Sequence, residues 1–142
     1  MYTLEEVKKT RILKKAMAII KRARKEILAT MALAEEERTP LPQEYFFLLN
    51  LKLRKGVIVR RLAFGSRRAF AKFKEKHREE FKKNNYKCRL VSPINYRRML
   101  ISDRKELLYA EEQRKGRRYW YSRSPIQIKK FLNYFEKRWR RF

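Results

Sequence analysis

Three side chains with ionisable or hydrogen-bonding heads fall close together in the second half of the chain, in the pattern Tyr96-x-Arg98-x-x-x-x-Asp103. A guanidinium and a carboxylate at this spacing could form an ion pair and brace the fold. The phenol of Tyr96 is a weak nucleophile, because it is largely protonated near neutrality and no activating base neighbours it in the sequence. The other candidates for covalent or acid–base chemistry are single residues. His77, the one histidine, lies on a long basic stretch with no carboxylate partner that spacing can place. Cys88 lies in a short predicted strand, where a small buried thiol is the usual outcome. With one Cys and one His there is neither an intramolecular disulfide nor a zinc-type cluster, so no metal and no cofactor is expected.

Elements must hold these residues in place. Met99-Leu100-Ile101 and Leu107-Leu108-Tyr109 are two apolar runs across a polar turn, which predicts an antiparallel hairpin. Upstream, Thr3 and Glu6 form a capping box for a helix over residues 3–25, with Ile12, Ala16, Ile19, Ile20, Ala23 and Ile27 on one face. Residues 27–33 form a continuous apolar run that reads as a buried strand or as a prolongation of the helix. The acidic cluster Glu35-Glu36-Glu37 is either solvated loop or an electrostatic cap at a helix N-terminus. A second helix spans 44–55 and ends at Gly56, followed by a central strand made of 57–59 and 62–64. Ser66 caps a third helix that runs to about Asn84, and residues 86–91 form a short strand.

Residues 111–118 read as a turn containing Gly116. Residues 119–122 then form a strand with Trp120 on one face and Tyr119 and Tyr121 on the other. Ser124 with Pro125 starts the closing helix, whose apolar stripe is Ile128, Phe131, Leu132, Phe135 and Trp139. The order of elements predicts an α/β protein, a mixed β-sheet flanked by helices, in a single domain over residues 1–142 with no internal repeat.

An apolar strand ending in Asp, a polar turn and a second apolar strand resemble the catalytic hairpin of the phospholipase D-like fold. In active members that strand carries His-x-Lys-x-x-x-x-Asp with the His as covalent nucleophile, and here the register holds Tyr96 and Arg98 instead. Two further stretches resemble its non-catalytic branch, the effector part of archaeal TrmB-like transcriptional regulators. One is Leu53-Arg54-Lys55-Gly56-Val57-Ile58-Val59-Arg60, and the other is Tyr119-Trp120-Tyr121 with the helix that carries Phe135 and Trp139. Together they cover roughly residues 10–142. The resemblance implies a single lobe without the nucleophile, hence no enzyme. In that setting Tyr96, Arg98 and Asp103 are either a structural relic or a retained phosphate-binding pocket. The resemblance also implies a homodimer formed across the hairpin face. The chain as given is too short to hold a winged helix ahead of such an effector part, so sequence-specific readout is not expected.

Forty Lys and Arg against fifteen Asp and Glu give a formal charge of +25, and self-repulsion of that size is tolerated most easily beside a polyanion. Aromatic residues make up 13% of the chain, too many for a disordered basic tail. Nucleic acid, DNA before RNA, is therefore the expected partner. Arg114, Lys115, Arg117, Arg118 and Arg123 alternate with aromatic residues in a way that suits phosphate contact and stacking. Lys129, Lys130, Lys137, Arg138, Arg140 and Arg141 extend that surface along the last helix. A second patch is expected from Arg54, Lys55, Arg60, Arg61, Arg67 and Arg68. Arg60 and Arg61 would either face a polyanion or pair with the cluster at 35–37.

No apolar run approaches the roughly 20 residues a membrane helix needs, and no signal-peptide core is present, so a cytoplasmic or nucleoid-associated protein is expected. Two alternatives remain beside nucleic-acid binding. One is an effector-sensing or dimerisation module that takes a small anion near Tyr96, Arg98 and Asp103. The other is a phosphodiesterase or nuclease, in which His77 would have to supply the missing nucleophile.

Overall fold

A strand apolar on both faces must be covered on both faces. That requirement explains the centre of the molecule, which is known from a computed structural model describing residues 3–140. Strand β1 (Glu5–Val7) and a 3-10 turn (Lys9–Arg11) precede α1 (Ile12–Arg22), β2 (Glu26–Ala32), α2 (Leu33–Arg38) and α3 (Gln43–Arg54). Next come β3 (Ile58–Phe64), α4 (Arg67–Lys76), α5 (Arg78–Phe81), β4 (Tyr86–Val91) and β5 (Met99–Ser102). The chain closes with β6 (Glu106–Gln113), β7 (Gly116–Ser122) and α6 (Pro125–Trp139). The seven strands form one mixed sheet in the order β1-β7-β6-β5-β2-β3-β4. β2, β3 and β4 are parallel, and every other pairing is antiparallel. The α/β architecture and mixed sheet are as the sequence predicts.

Alternation along the strands sends one set of side chains to each face. Ile27, Ala29, Val59, Leu100 and Leu108 pack with Ile19, Ile20, Leu49 and Leu53 of α1 and α3. Leu28, Leu62, Phe64, Ile101 and Leu107 pack under Ile128, Phe131, Phe135 and Trp139 of α6. Met31, Leu33, Ala63 and Phe73 close a third cluster where α2 and α4 meet. Local signals act where expected. Gly56 adopts φ +89° after α3, a left-handed value that disfavours any Cβ. The hydroxyl of Ser66 accepts the Ala69 N–H at 3.1 Å, and that of Ser124 accepts from Gln127. Trp120 lies on the face opposite Tyr119 and Tyr121.

Three expectations are corrected. The first helix begins at Ile12, not at the capping box. Residues 5–7 form an edge strand on β7, with Val7 opposite Tyr119 and buried, and Glu6 grips Arg118 instead of capping. Tertiary pairing and burial of Val7 outweigh a local capping preference worth about 1 kcal/mol. The third helix stops at Lys76, because His77 takes a non-helical conformation (φ −116°, ψ 40°) and a separate short helix follows. Residues 111–118 form a paired ribbon, with Glu111 opposite Arg118, Glu112 opposite Arg117 and Gly116 at φ +118°. Its side chains are almost all exposed, so no apolar alternation marks it as strand.

Candidate functional site

The parallel strands β2 and β3 end at Ala32 and Phe64, and the antiparallel β5 starts beside them at Met99. The loop that carries Tyr96 and Arg98 therefore enters the sheet at this rim. The loop is pinned from two sides. Thr30 Oγ1 accepts the Met99 N–H at 3.0 Å and donates to the Arg97 carbonyl at 2.5 Å. From α6, the Tyr134 hydroxyl donates to the Asn95 carbonyl at 2.6 Å and accepts the Arg97 N–H at 2.8 Å. Asn95 has φ +59°, which its short polar side chain tolerates.

The expected pair of Arg98 and Asp103 does not form. The two residues flank opposite ends of β5, about 16 Å apart along an extended strand. Arg98 Nη1 donates to Glu35 Oε2 at 3.0 Å, and Arg117 reaches both oxygens of the same carboxylate. Glu35 is thus a shared anion in the first turn of α2, and its carboxyl is held below the usual range by the Arg117 hydrogen bonds, against the effect of burial. The acidic cluster is helical and braces the rim. Asp103, with φ +52°, accepts the backbone N–H groups of Arg24, Lys25 and Glu26 at 2.8, 2.8 and 2.9 Å. Burial pushes its carboxyl up, but these three bonds and Lys105 outweigh that and hold it below the usual range. It ties the hairpin turn to the start of β2. Tyr96 packs against Phe64 with ring centroids 5.0 Å apart. Its hydroxyl is buried without a hydrogen-bond partner, and burial raises its pKa. The three residues therefore do not line one pocket.

The expected nucleic-acid residues divide into three groups. Arg67, Arg68, Arg114, Lys115, Lys129, Lys130 and Lys137 are exposed, and among the described residues no carboxylate pairs with them. Others are held by the protein itself. Arg117 is committed to Glu35 and Glu112, and Arg118 to Glu6 while lying 4.9 Å over the Trp120 ring. Arg123 donates to the Tyr121 hydroxyl, and Arg138 lies 3.8 Å over the Tyr134 ring. Arg60 pairs with Glu136 at 2.7 Å, not with the acidic cluster at 35–37.

Arg61 is the clearest correction, for it is only 2% exposed and cannot reach a polyanion. The patch expected around Arg54, Lys55, Arg67 and Arg68 is also split, because β3 separates the two pairs by about 23 Å. Arg67 and Arg68 instead follow the end of β3, at the same end of the sheet as the start of β5 and the β6–β7 turn. Arg141 lies outside the described residues.

His77 was expected to lack a dyad, yet the break between α4 and α5 turns its Nδ1 toward Glu80 Oε1 at 3.0 Å. Both are buried, and the ring stacks on Phe46 at 4.1 Å. An i to i+3 spacing of His and Glu, which places the two on one face of a helix as well, was the available signal. Burial lowers the His77 pKa against the raising effect of Glu80. The Cys88 thiol is pushed up to about 11 by burial, as an inert thiol would be. Among the described residues no group of three His, Cys, Asp or Glu side chains could hold a metal. No helix there is long and apolar enough to cross a membrane.

Solved structures share this arrangement. An archaeal chromatin protein, TrmBL2, described as showing a novel mode of DNA binding, superposes over 99% of this chain and 52% of its own at 17% identity and TM-score 0.73. A phospholipase D family member, Nuc from Salmonella typhimurium, matches over 99% of this chain and 94% of its own at 14% identity and TM-score 0.66. The chain has a phospholipase D-like fold. A third likeness is to the phosphatidylserine synthase of Haemophilus influenzae Rd KW20, at 11% identity and TM-score 0.64, with 99% of this chain and 38% of that one covered. The chain thus spans about half of TrmBL2 and less of the synthase. No protein-family model matches the sequence, and no curated protein does. The expectation of a non-enzymatic protein is corrected by these neighbours. The same fold carries a phosphatidylserine synthase and a phospholipase D family member, so it is not a fold restricted to non-enzymatic proteins.

Proposed function

We propose that this chain binds nucleic acid, DNA before RNA, as a single phospholipase D-like lobe that contacts phosphates in a largely sequence-independent way and works as a homodimer on DNA. The observation that carries the reading is the set of exposed, unpaired cations on a chain of charge +25. Arg67, Arg68, Arg114 and Lys115 lie at the Arg98 rim, and Lys129, Lys130 and Lys137 lie on α6. Cations already held by carboxylates have little left to give a phosphate, whereas free ones release counterions on contact. The likeness to a chromatin protein described by its DNA binding supports the same reading. Dimerisation rests on the resemblance alone.

The test is a salt titration of binding to a short duplex. Log affinity is expected to fall linearly with log salt, by about 0.9 for each phosphate neutralised. Replacing Arg114 and Lys115 together by Ala should lower that slope by roughly 1 to 2. Absence of binding at low salt would remove the proposal.

A further inference from the structure

Arg61 stands in the middle of β3, opposite Ala29 on β2 and Cys88 on β4, so neither neighbouring strand offers it a counterion. It points to the side of the sheet covered by Tyr45 of α3 and Phe73 of α4. Its Nε and Nη1 are fully buried and have no hydrogen-bond partner. A buried guanidinium left in this state costs several kcal/mol unless something satisfies it. Beside it lies a cavity of about 120 Å³, lined by Ile12, Leu13, Ala16, Leu100 and Leu108 on its apolar side and by Arg61, Thr30 and Tyr45 on its polar side. Small residues at 16, 29 and 32 leave the space open.

The two other ionic groups at its wall are already engaged. Arg98 is bound by Glu35, and Glu36 Oε1 accepts the Leu41 N–H at 3.2 Å without reaching Arg61. Thr30 Oγ1 is used on the Arg97 carbonyl and the Met99 N–H. Of the charged groups at this wall, Arg61 is the one with buried N–H groups that have no hydrogen-bond partner among the described residues.

We propose that this cavity is a binding site for a short-chain carboxylate, its carboxylate accepting hydrogen bonds from the buried Arg61 guanidinium and its alkyl tail against Ile12, Leu13, Leu100 and Leu108. A planar guanidinium fork matches a carboxylate in two parallel hydrogen bonds, and the apolar wall favours a tail over a fully polar ion. The site is separate from the exposed cations assigned to nucleic acid and does not depend on that assignment.

The experiment is calorimetric titration and thermal melting of the whole chain with acetate, propionate and butyrate at constant ionic strength, with inorganic phosphate as the control ion. One site per chain is expected, with affinity rising about fourfold for each added methylene and no comparable gain with phosphate. Arg61→Met, which removes the fork but keeps the bulk, and Ala16→Leu, which fills the cavity but keeps the fork, should each abolish butyrate binding. Equal effects of all four anions on the wild-type protein would overturn the proposal, because they would report the cationic surface. Butyrate binding that survives in either folded variant would overturn it as well. DNA affinity at fixed ionic strength should be unchanged by saturating butyrate.

Discussion

Asp103 shows how one carboxylate can tie a hairpin turn to the start of a distant strand. Its carboxylate gathers three consecutive backbone N–H groups at the start of β2, an arrangement that favours the anion. Asp103→Ala should lower stability in urea unfolding by roughly 2 kcal/mol, whereas Asp103→Asn, which tolerates the positive φ and keeps one acceptor oxygen, should cost less. The folded pKa of Asp103 lies below its ordinary value, so its contribution is complete above about pH 4 and is lost as pH falls through the folded pKa. Melting curves of the wild-type protein and Asp103→Asn should therefore converge in acid. His77 gives the same direction of pH dependence for a different reason, because it is the neutral form that the fold favours. Burial lowers its pKa, so the folded state resists protonation and stability declines as pH drops below about 6.5. His77→Gln should flatten the melting temperature between pH 7 and 5. A variant as pH-sensitive as the wild type would show that another group titrates.

At the level of elements, the step from α3 to β3 and the β6–β7 ribbon behave differently. The first is closed locally, with Gly56 in a left-handed conformation and Asn85 Nδ2 donating to the carbonyls of Leu53 and Val57 at 2.8 Å each. A Cβ at position 56 would meet no atom within 4 Å, so the cost of Gly56→Ala is backbone strain alone, about 1 kcal/mol by thermal or urea unfolding. That step was legible because glycine after an apolar helix has a specific conformational meaning. The ribbon was not, since Glu111 and Glu112 stand opposite Arg118 and Arg117 and no hydrophobic period marks them. Edge strand β1 escaped for a related reason. Three residues carry too little pattern to compete with a capping box, and only the neighbouring β7 makes them a strand.

The whole molecule is organised by excess positive charge around an ordinary core. Repulsion among exposed cations should make the protein more stable as salt rises from about 20 to 300 mM, because the screening length shrinks to less than half its low-salt value over that range. A short duplex at low salt should raise the melting temperature further by binding the folded state. A melting temperature indifferent to both would mean that the cations are already neutralised within the fold. The chain alone determined the class of the fold, because buried strands such as residues 57–64 are apolar on both faces and the last helix carries an unbroken stripe from Ile128 to Trp139. It also determined the net charge of +25. What it could not determine is which cations are free. Arg61, Arg67 and Arg117 look alike in sequence, and only the packing of the sheet makes the first buried, the second exposed and the third bound to Glu35. The cost of burying a charge and the reach of a partner carboxylate depend on residues far apart in the chain, so they are set by tertiary contacts and not by local pattern.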